Sequence, residues 1–81
     1  MDKNFQIIKK LQENLKVDPN NVELLNEIAI YYFRIQNLKE AEFYFKKALI
    51  INPNNISVLN NLAIIKQSNF KNSKISNVII S

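Results

Sequence analysis

The chain repeats itself at an offset of 34 residues, and no other feature of the sequence constrains its fold as strongly. The segment Pro19-Asn20-Asn21 recurs as Pro53-Asn54-Asn55, and further identities follow at the same offset: Leu25-Asn26 with Leu59-Asn60, Ala29-Ile30 with Ala63-Ile64, and Leu15 with Leu49. A fixed period of roughly 20 to 50 residues is typical of proteins built from stacked structural units. We therefore expect a repeat architecture in which each unit packs mainly on its neighbour.

Apolar residues in and around these segments recur every three or four positions, which is the period of a helix and not of a strand. The pattern predicts four helices, which run approximately from Asn4 to Val17, from Val22 to Ile35, from Leu38 to Ile51, and from the residue after Asn55 to Ser68-Asn69. Pro19 ends the first helix because the residue before a proline is pushed out of the helical region, and Asn20 or Asn21 then caps the second. A tight turn at Gln36-Asn37 joins the second helix to the third.

The last part of the chain allows two interpretations. Ile75, Val78 and Ile79 lie three or four positions apart, so a short fifth helix from about Ser73 would cover the open end of the stack. The polar run at residues 71–74 fits a disordered tail equally well. We therefore divide the chain into a helical domain at residues 1–70 and a tail or short capping helix at residues 71–81.

The composition is that of an ordinary globular domain, with 47% hydrophobic and 22% charged residues. Glycine, cysteine and histidine are absent, which excludes phosphate-binding glycine loops, disulfides, and thiolate or imidazole metal sites. The chain therefore also lacks the side chains that most often serve as general base or activated nucleophile. We expect no catalytic residue, no cofactor and no metal ion.

A net charge of +4 raises the question of nucleic acid or an anionic membrane as partner. Nucleic-acid-binding proteins usually cluster their basic residues on one face, whereas the lysines here are spread over helix ends and outer faces. The aromatic groups at residues 31–33 and 43–45 resemble base-stacking platforms, but helical spacing favours packing inside the domain for Tyr32 and Phe45. No apolar run is long enough for a signal segment or a membrane span, so we expect a cytoplasmic protein without a membrane or nucleic-acid partner.

Residues 22–55 resemble a tetratricopeptide repeat over one full period of its signature. The residues that carry the resemblance are Leu25, Ile28, Ala29, Tyr32, Ala41, Phe45, Ala48 and Pro53. The first three are conservative substitutes for the family's residues, and the others are the family's residues themselves. Small alanines let two antiparallel helices approach closely, while Tyr32 and Phe45 fill the space beside them. The resemblance implies an all-α fold in which antiparallel helix-turn-helix repeats stack as a short α-solenoid.

The segments on either side match the family only in part. Residues 2–18 resemble the second helix of a preceding repeat, and residues 56–70 resemble the first helix of a truncated one. In the first segment, the family's small and aromatic residues are replaced by Ile7, Leu11 and Asn14. About three repeats are usually needed for a stable stack, so we expect uncovered apolar faces at both ends, which are typically interfaces. The residues expected to line them are Phe5 and Ile8 at one end, and Ile64 and Ile65 at the other.

The resemblance also implies where a partner would bind. Tetratricopeptide stacks hold peptides or helices on the concave surface made by the first helix of each repeat, which here means the second and fourth helices. The candidate binding residues, which are side chains there not needed for internal packing, are Asn26, Ile30, Phe33, Arg34, Asn60, Asn61, Ile64 and Gln67. Asparagine amides can bond a peptide backbone, and Arg34 can pair with an acidic side chain. The asparagines also fit ordinary solvated helix positions.

We therefore interpret the chain as a non-catalytic protein–protein interaction module that binds a peptide or helix of another protein. The alternative is a structural role, as a fragment of a longer tetratricopeptide array or as a homo-oligomer whose ends pair without an independent ligand. The sequence does not identify the partner.

Overall fold

The computed structural model describes the backbone of residues 3–80 and the side chains of residues 3–68. The described backbone forms four helices and no strand: α1 (Lys3–Val17), α2 (Val22–Arg34), α3 (Leu38–Ile51) and α4 (Ile56–Ile80). Each helix packs against the next along the chain, and α2 also contacts α4. This stack of helices confirms the predicted all-α, repeat-like fold.

Two asparagines related by the repeat offset begin α2 and α4 in the same way. The Oδ1 atom of Asn21 accepts a hydrogen bond from the backbone N–H of Leu24 at 3.0 Å, and Oδ1 of Asn55 accepts one from Val58 at 3.0 Å. Each bond satisfies one of the N–H groups that a helix start leaves without an intrahelical partner. Of the two residues predicted to cap the second helix, Asn21 is therefore the one that does so.

The turn between α2 and α3 is closed by a residue in the left-handed region, Gln36, which has a φ of 65°. Its N–H donates to the carbonyl of Phe33 at 3.0 Å, and the N–H of Asn37 donates to the carbonyl of Tyr32 at 2.9 Å. This pair of bonds is a Schellman motif, in which the left-handed position is usually glycine. The predicted turn at Gln36-Asn37 is confirmed, and it ends α2 in spite of the steric cost of a β-carbon at that position.

The core lies mainly between α2 and α3, where small side chains form the contact. Ala29, Ala41 and Ala48 are fully buried, as is Leu25, and Phe45 is 1% exposed. Because alanine keeps little bulk between two backbones, the helices can approach closely, and the two larger side chains fill the space beside the contact. The full core cluster consists of Leu25, Ala29, Ala41, Phe45, Ala48, Val58, Leu62 and Ile65.

One polar side chain ties α1 to both helices of this central pair. The Nε2 atom of Gln12 donates to the hydroxyl of Tyr32 at 3.1 Å and to the hydroxyl of Tyr44 at 3.2 Å. The two tyrosine rings stack with their centroids 5.7 Å apart. Because all three side chains are partly buried, these bonds satisfy polar groups that have lost part of their hydration.

α4 is longer than the sequence predicted. We expected it to end near Ser68-Asn69, followed either by a short helix from about Ser73 or by a disordered tail, but one unbroken helix runs from Ile56 to Ile80. The segment contains no proline or glycine. No residue in it therefore removes a backbone donor or strongly favours a turn, and the helix continues through the polar run.

The apolar ends of the stack are uncovered, but only half of the expected residues line them. Phe5 and Ile64 are 49% and 48% exposed, whereas Ile8 and Ile65 are 0% and 1% exposed. The expectation was wrong for the second pair because those side chains lie on the sides of α1 and α4 that pack against neighbouring helices.

Two further expectations concern the end of α4. The side chains of Ile75, Val78 and Ile79, expected to cover the stack, lie outside the described residues, and the domain boundary at residue 70 stays a prediction.

No helix in the described part of the chain combines the length and apolar character needed to cross a membrane.

Candidate protein-binding surface

Two asparagines from the candidate set join α2 to α4. The Nδ2 atom of Asn61 donates a hydrogen bond to Oδ1 of Asn26 at 3.1 Å, and both side chains are half-buried. The bond uses one donor of Asn61 and the acceptor atom of Asn26. The Nδ2 group of Asn26 and the Oδ1 atom of Asn61 therefore retain the capacity to bond a further partner.

Two more candidates lie in a groove between α1 and α2. Ile30 is half-buried, and Arg34 is exposed at the end of α2. The guanidinium carbon of Arg34 lies 5.0 Å from the ring centroid of Tyr31, within the range of a cation–π contact. The residues that line this α1–α2 groove are Ile7, Leu11, Glu27, Ile30, Tyr31 and Arg34. The groove thus combines apolar walls with one carboxylate and one guanidinium group.

The remaining candidates of α4 line a shallow groove along that helix. Asn60, Ile64 and Gln67 are all exposed, and Ile64 is 48% exposed. The residues that line this α4 groove are Asn60, Ala63, Ile64, Lys66 and Gln67. The α4 groove is therefore an apolar strip bordered by polar side chains.

Phe33 takes part in internal packing as well as belonging to the candidate set. It is half-buried and packs against the core cluster, as Ile30 also does. Part of its surface therefore serves internal packing, because the described helices enclose that side of α2. A substitution at Phe33 would weaken the core as well as any binding surface.

The two grooves are completed by residues that the sequence pattern does not single out for binding: Ile7, Leu11, Tyr31, Ala63 and Lys66. A signal for part of this set was available. Ile7 and Leu11 stand 34 positions before Ala41 and Phe45, which pack on the first helix of their own repeat. No described helix takes that place beside α1, and this leaves Ile7 and Leu11 at a groove.

Two lysines of α3 make contacts within their own helix. Lys46 pairs with Glu42 on α3 at 3.3 Å, and the Nζ atom of Lys47 lies 5.8 Å from the ring centroid of Phe43. Phe45 is buried and cannot stack on a base. Within the residues whose side chains are described, no cluster of three or more acidic side chains could hold a metal ion.

Comparison with known families identifies the central helix pair. The family model described as a tetratricopeptide repeat matches residues 22–55, which run from the start of α2 to the residue that caps α4. This is the range over which the sequence pattern predicts a full repeat. No curated protein matches the chain.

Proposed function

Because the chain is a tetratricopeptide repeat protein with its full repeat at residues 22–55, we propose that it holds a peptide or helix of another protein on the concave face formed by α2 and α4. Repeats of this family mediate protein–protein interactions, and solenoids bind ligands on extended concave surfaces. The residues that define the concave face are Asn26, Ile30, Phe33, Arg34, Asn60, Asn61, Ile64 and Gln67.

The hydrogen bond between Asn26 and Asn61 is the observation that best supports this proposal. It brings two side-chain amides together where α2 meets α4. Their remaining donor and acceptor are complementary to the C=O and N–H groups that an extended peptide presents. A ligand backbone bonded there would lie across both helices, and these bonds would not depend on the side chains of the ligand.

The side chains around the amide pair favour a ligand of mixed character. Ile30 and Ile64 offer apolar surface on the two helices, and Ile64 is 48% exposed. The guanidinium group of Arg34 is exposed and can form two parallel hydrogen bonds with a carboxylate. We therefore propose a ligand segment with apolar residues and at least one acidic residue.

The proposed role contains no chemical step. The chain has no histidine or cysteine to act as base or nucleophile, and repeats of this family typically act as non-catalytic scaffolds. The proposed location is the cytoplasm, which subcellular fractionation of the tagged chain would test.

A variant that removes both amides together tests the concave face. Asn26→Leu combined with Asn61→Leu replaces a hydrogen-bonded pair by two apolar side chains of similar size, which leaves neither partner unsatisfied and should change the free energy of unfolding little. We expect proteins captured from a lysate of the source cells by the wild-type chain to be absent from the capture with this variant, as measured by quantitative mass spectrometry.

The matched control is Asn20→Leu combined with Asn54→Leu, the same change at two exposed loop positions. It should capture the same proteins as the wild-type chain, and circular dichroism should show equal helix content in all three chains. Equal capture by the variant and the control would mean that the concave face is not the binding site.

A further inference from the structure

The two ends of the chain expose complementary halves of one helix pair. α4 has the sequence pattern of the first helix of a repeat, and α1 has that of the second. Within the chain, α2 and α3 show how two such helices pack when both are present. We propose that α4 of one copy packs against α1 of a second copy, so that chains associate head to tail. This inference does not depend on a ligand of the concave face.

α4 exposes residues that α2 buries. Leu59 and Ala63 stand 34 positions after Leu25 and Ala29. Leu25 and Ala29 are fully buried in the cluster that α2 forms with α3. Leu59 is 43% exposed, and Ala63 is exposed as well. The side of α4 on which a second helix packs in the central pair is therefore uncovered by the described residues.

α1 exposes the opposite half of the same contact. Ile7, Leu11 and Asn14 stand 34 positions before Ala41, Phe45 and Ala48, through which α3 packs on α2. All three residues of α3 are buried. Ile7 is 36% exposed, Leu11 is half-buried and Asn14 is exposed. α1 thus presents an uncovered second-helix face of the kind that α4 lacks.

The α1–α2 groove has the position that a first helix would occupy beside α1. In the chain itself, the first helices α2 and α4 lie side by side and are joined by Asn26 and Asn61. The equivalent residues at a junction between copies are Asn60 of α4 and Glu27 of the next copy, one repeat away in each case. Glu27 lines the α1–α2 groove and Asn60 the α4 groove. An amide donor would therefore meet a carboxylate acceptor, which makes a stronger hydrogen bond than two amides.

One pair of residues opposes this association. Lys66 and Lys10 stand in the positions of Tyr32 and Tyr44, whose rings stack 5.7 Å apart within the chain. At a junction, two ammonium groups would replace two stacked rings, and each chain carries a net charge of +4. Like charges repel most strongly at low ionic strength, so association should be weak in dilute buffer and should strengthen as salt is added.

The proposed contact joins two different surfaces, so it is heterologous. Each junction uses α4 of one chain and α1 of the next, and leaves an unused α1 at one end and an unused α4 at the other. Assembly of this type closes only if the rotation between copies allows a ring, and otherwise continues into longer chains. We therefore expect species larger than a dimer as the concentration rises.

Two variants block the two ends separately. Ala63→Glu places a charge on the uncovered side of α4, and Ile7→Glu places one on the uncovered side of α1. Each variant alone should stay monomeric in sedimentation velocity at concentrations where the wild-type chain associates. An equimolar mixture should form a dimer and nothing larger, because only the α4 of Ile7→Glu and the α1 of Ala63→Glu remain competent.

The control variant is Ile50→Glu, which adds the same charge at a position on α3 that is 80% exposed and outside both grooves. It should associate like the wild-type chain, and so should Asn26→Leu/Asn61→Leu, which separates this test from that of the concave face. A wild-type chain that stays monomeric at millimolar concentration in high salt would overturn the proposal. Self-association of Ile7→Glu alone would also overturn it, because that variant could associate only through a symmetric contact between two α4 helices.

A gain-of-function variant keeps the proposal testable if either blocking variant fails to fold. Lys66→Tyr removes one member of the like-charge pair and restores the residue that α2 carries at Tyr32. Because the new ring can cover apolar surface of the neighbouring α1, the dissociation constant of the junction should fall roughly tenfold. A dissociation constant that is unchanged or raised would contradict the proposed register.

Discussion

Leu25 in α2 and Leu59 in α4 stand one repeat apart, but their surroundings are opposite. Leu25 is fully buried, and Leu59 is 43% exposed. Both residues are leucines, both lie in a helix, and both helices begin at a capping asparagine, Asn21 or Asn55. The difference comes from the neighbouring helix, because α3 packs on α2 and no described helix takes the corresponding place beside α4.

This comparison shows that the repeat signature specifies a helix and its apolar side, but the next helix determines whether that side is buried. Each unit of a solenoid cannot bury its hydrophobic face alone and depends on its neighbours for a continuous core. In the described chain, α2 and α3 form a complete helix pair, whereas α1 and α4 each lack a second helix on one side. We expect its ends, and not its centre, to determine how it associates.

The largest expected effect is a difference in stability between two alanine substitutions. Leu25→Ala should lower the free energy of unfolding by about 3 kcal/mol, because it leaves a cavity in the core. A single core of this size supplies only about 3–5 kcal/mol, so this variant should keep only about 0–2 kcal/mol and be partly unfolded at room temperature. Leu59→Ala should cost less than about 1 kcal/mol in dilute solution. Urea titration followed by circular dichroism measures both, and equal losses would show that Leu59 is covered within one chain.

A smaller effect is expected at the polar link between α1 and the central pair. Gln12→Leu removes the donor to the hydroxyl groups of Tyr32 and Tyr44 and should cost about 1–2 kcal/mol. Gln6→Leu, on the same helix but exposed, is the control and should change the free energy of unfolding little. Lys66, which stands in the position of Tyr32 one repeat later, should also tolerate substitution by leucine in dilute solution. An unchanged free energy of unfolding for Gln12→Leu would show that water satisfies the two hydroxyl groups.

The smallest expected effect has opposite signs in α2 and α4. Gln36→Gly should raise the free energy of unfolding by about 1 kcal/mol, because glycine has no β-carbon to clash at a φ of 65°. Residue 70 stands one repeat later, in the interior of α4, where the helix propensities predict that Phe70→Gly lowers it by about 0.5 kcal/mol. Both changes are measurable as shifts of the urea midpoint. Stabilisation by glycine at both positions would mean that α4 turns near residue 70 as α2 does.

The sequence predicts the first three helices well because each boundary has a local cause. Proline stops α1, Asn21 caps α2, and the turn at Gln36-Asn37 separates α2 from α3. The sequence does not predict the length of α4. The polar residues at 71–74 suggest a tail, but the segment has no proline or glycine to end the helix, which therefore continues. Periodicity therefore predicts that a helix exists, but it does not predict where the helix ends when no proline, glycine or other stop signal is present.

The candidate surface is predictable only in part. The family's spacing selects the helices α2 and α4, and the sequence selects their exposed side chains. The bond between Asn26 and Asn61 depends on how the two helices are offset, and the grooves depend on which helix is missing beside α1 and α4 in the described chain. These features arise from contacts between helices that are distant in sequence, and the periodicity within a single helix carries no information about such contacts.

The most direct test is the dependence of wild-type stability on protein concentration. If the uncovered sides of α4 and α1 bind each other between copies, association stabilises the folded chain by mass action, and the urea midpoint must rise with concentration. We expect this rise in high salt for the wild-type chain and for Ile50→Glu, and a constant midpoint for Ala63→Glu. A wild-type midpoint that does not change with concentration, or an equal rise for Ala63→Glu, would contradict the conclusion that the uncovered side of α4 is the place for a second helix.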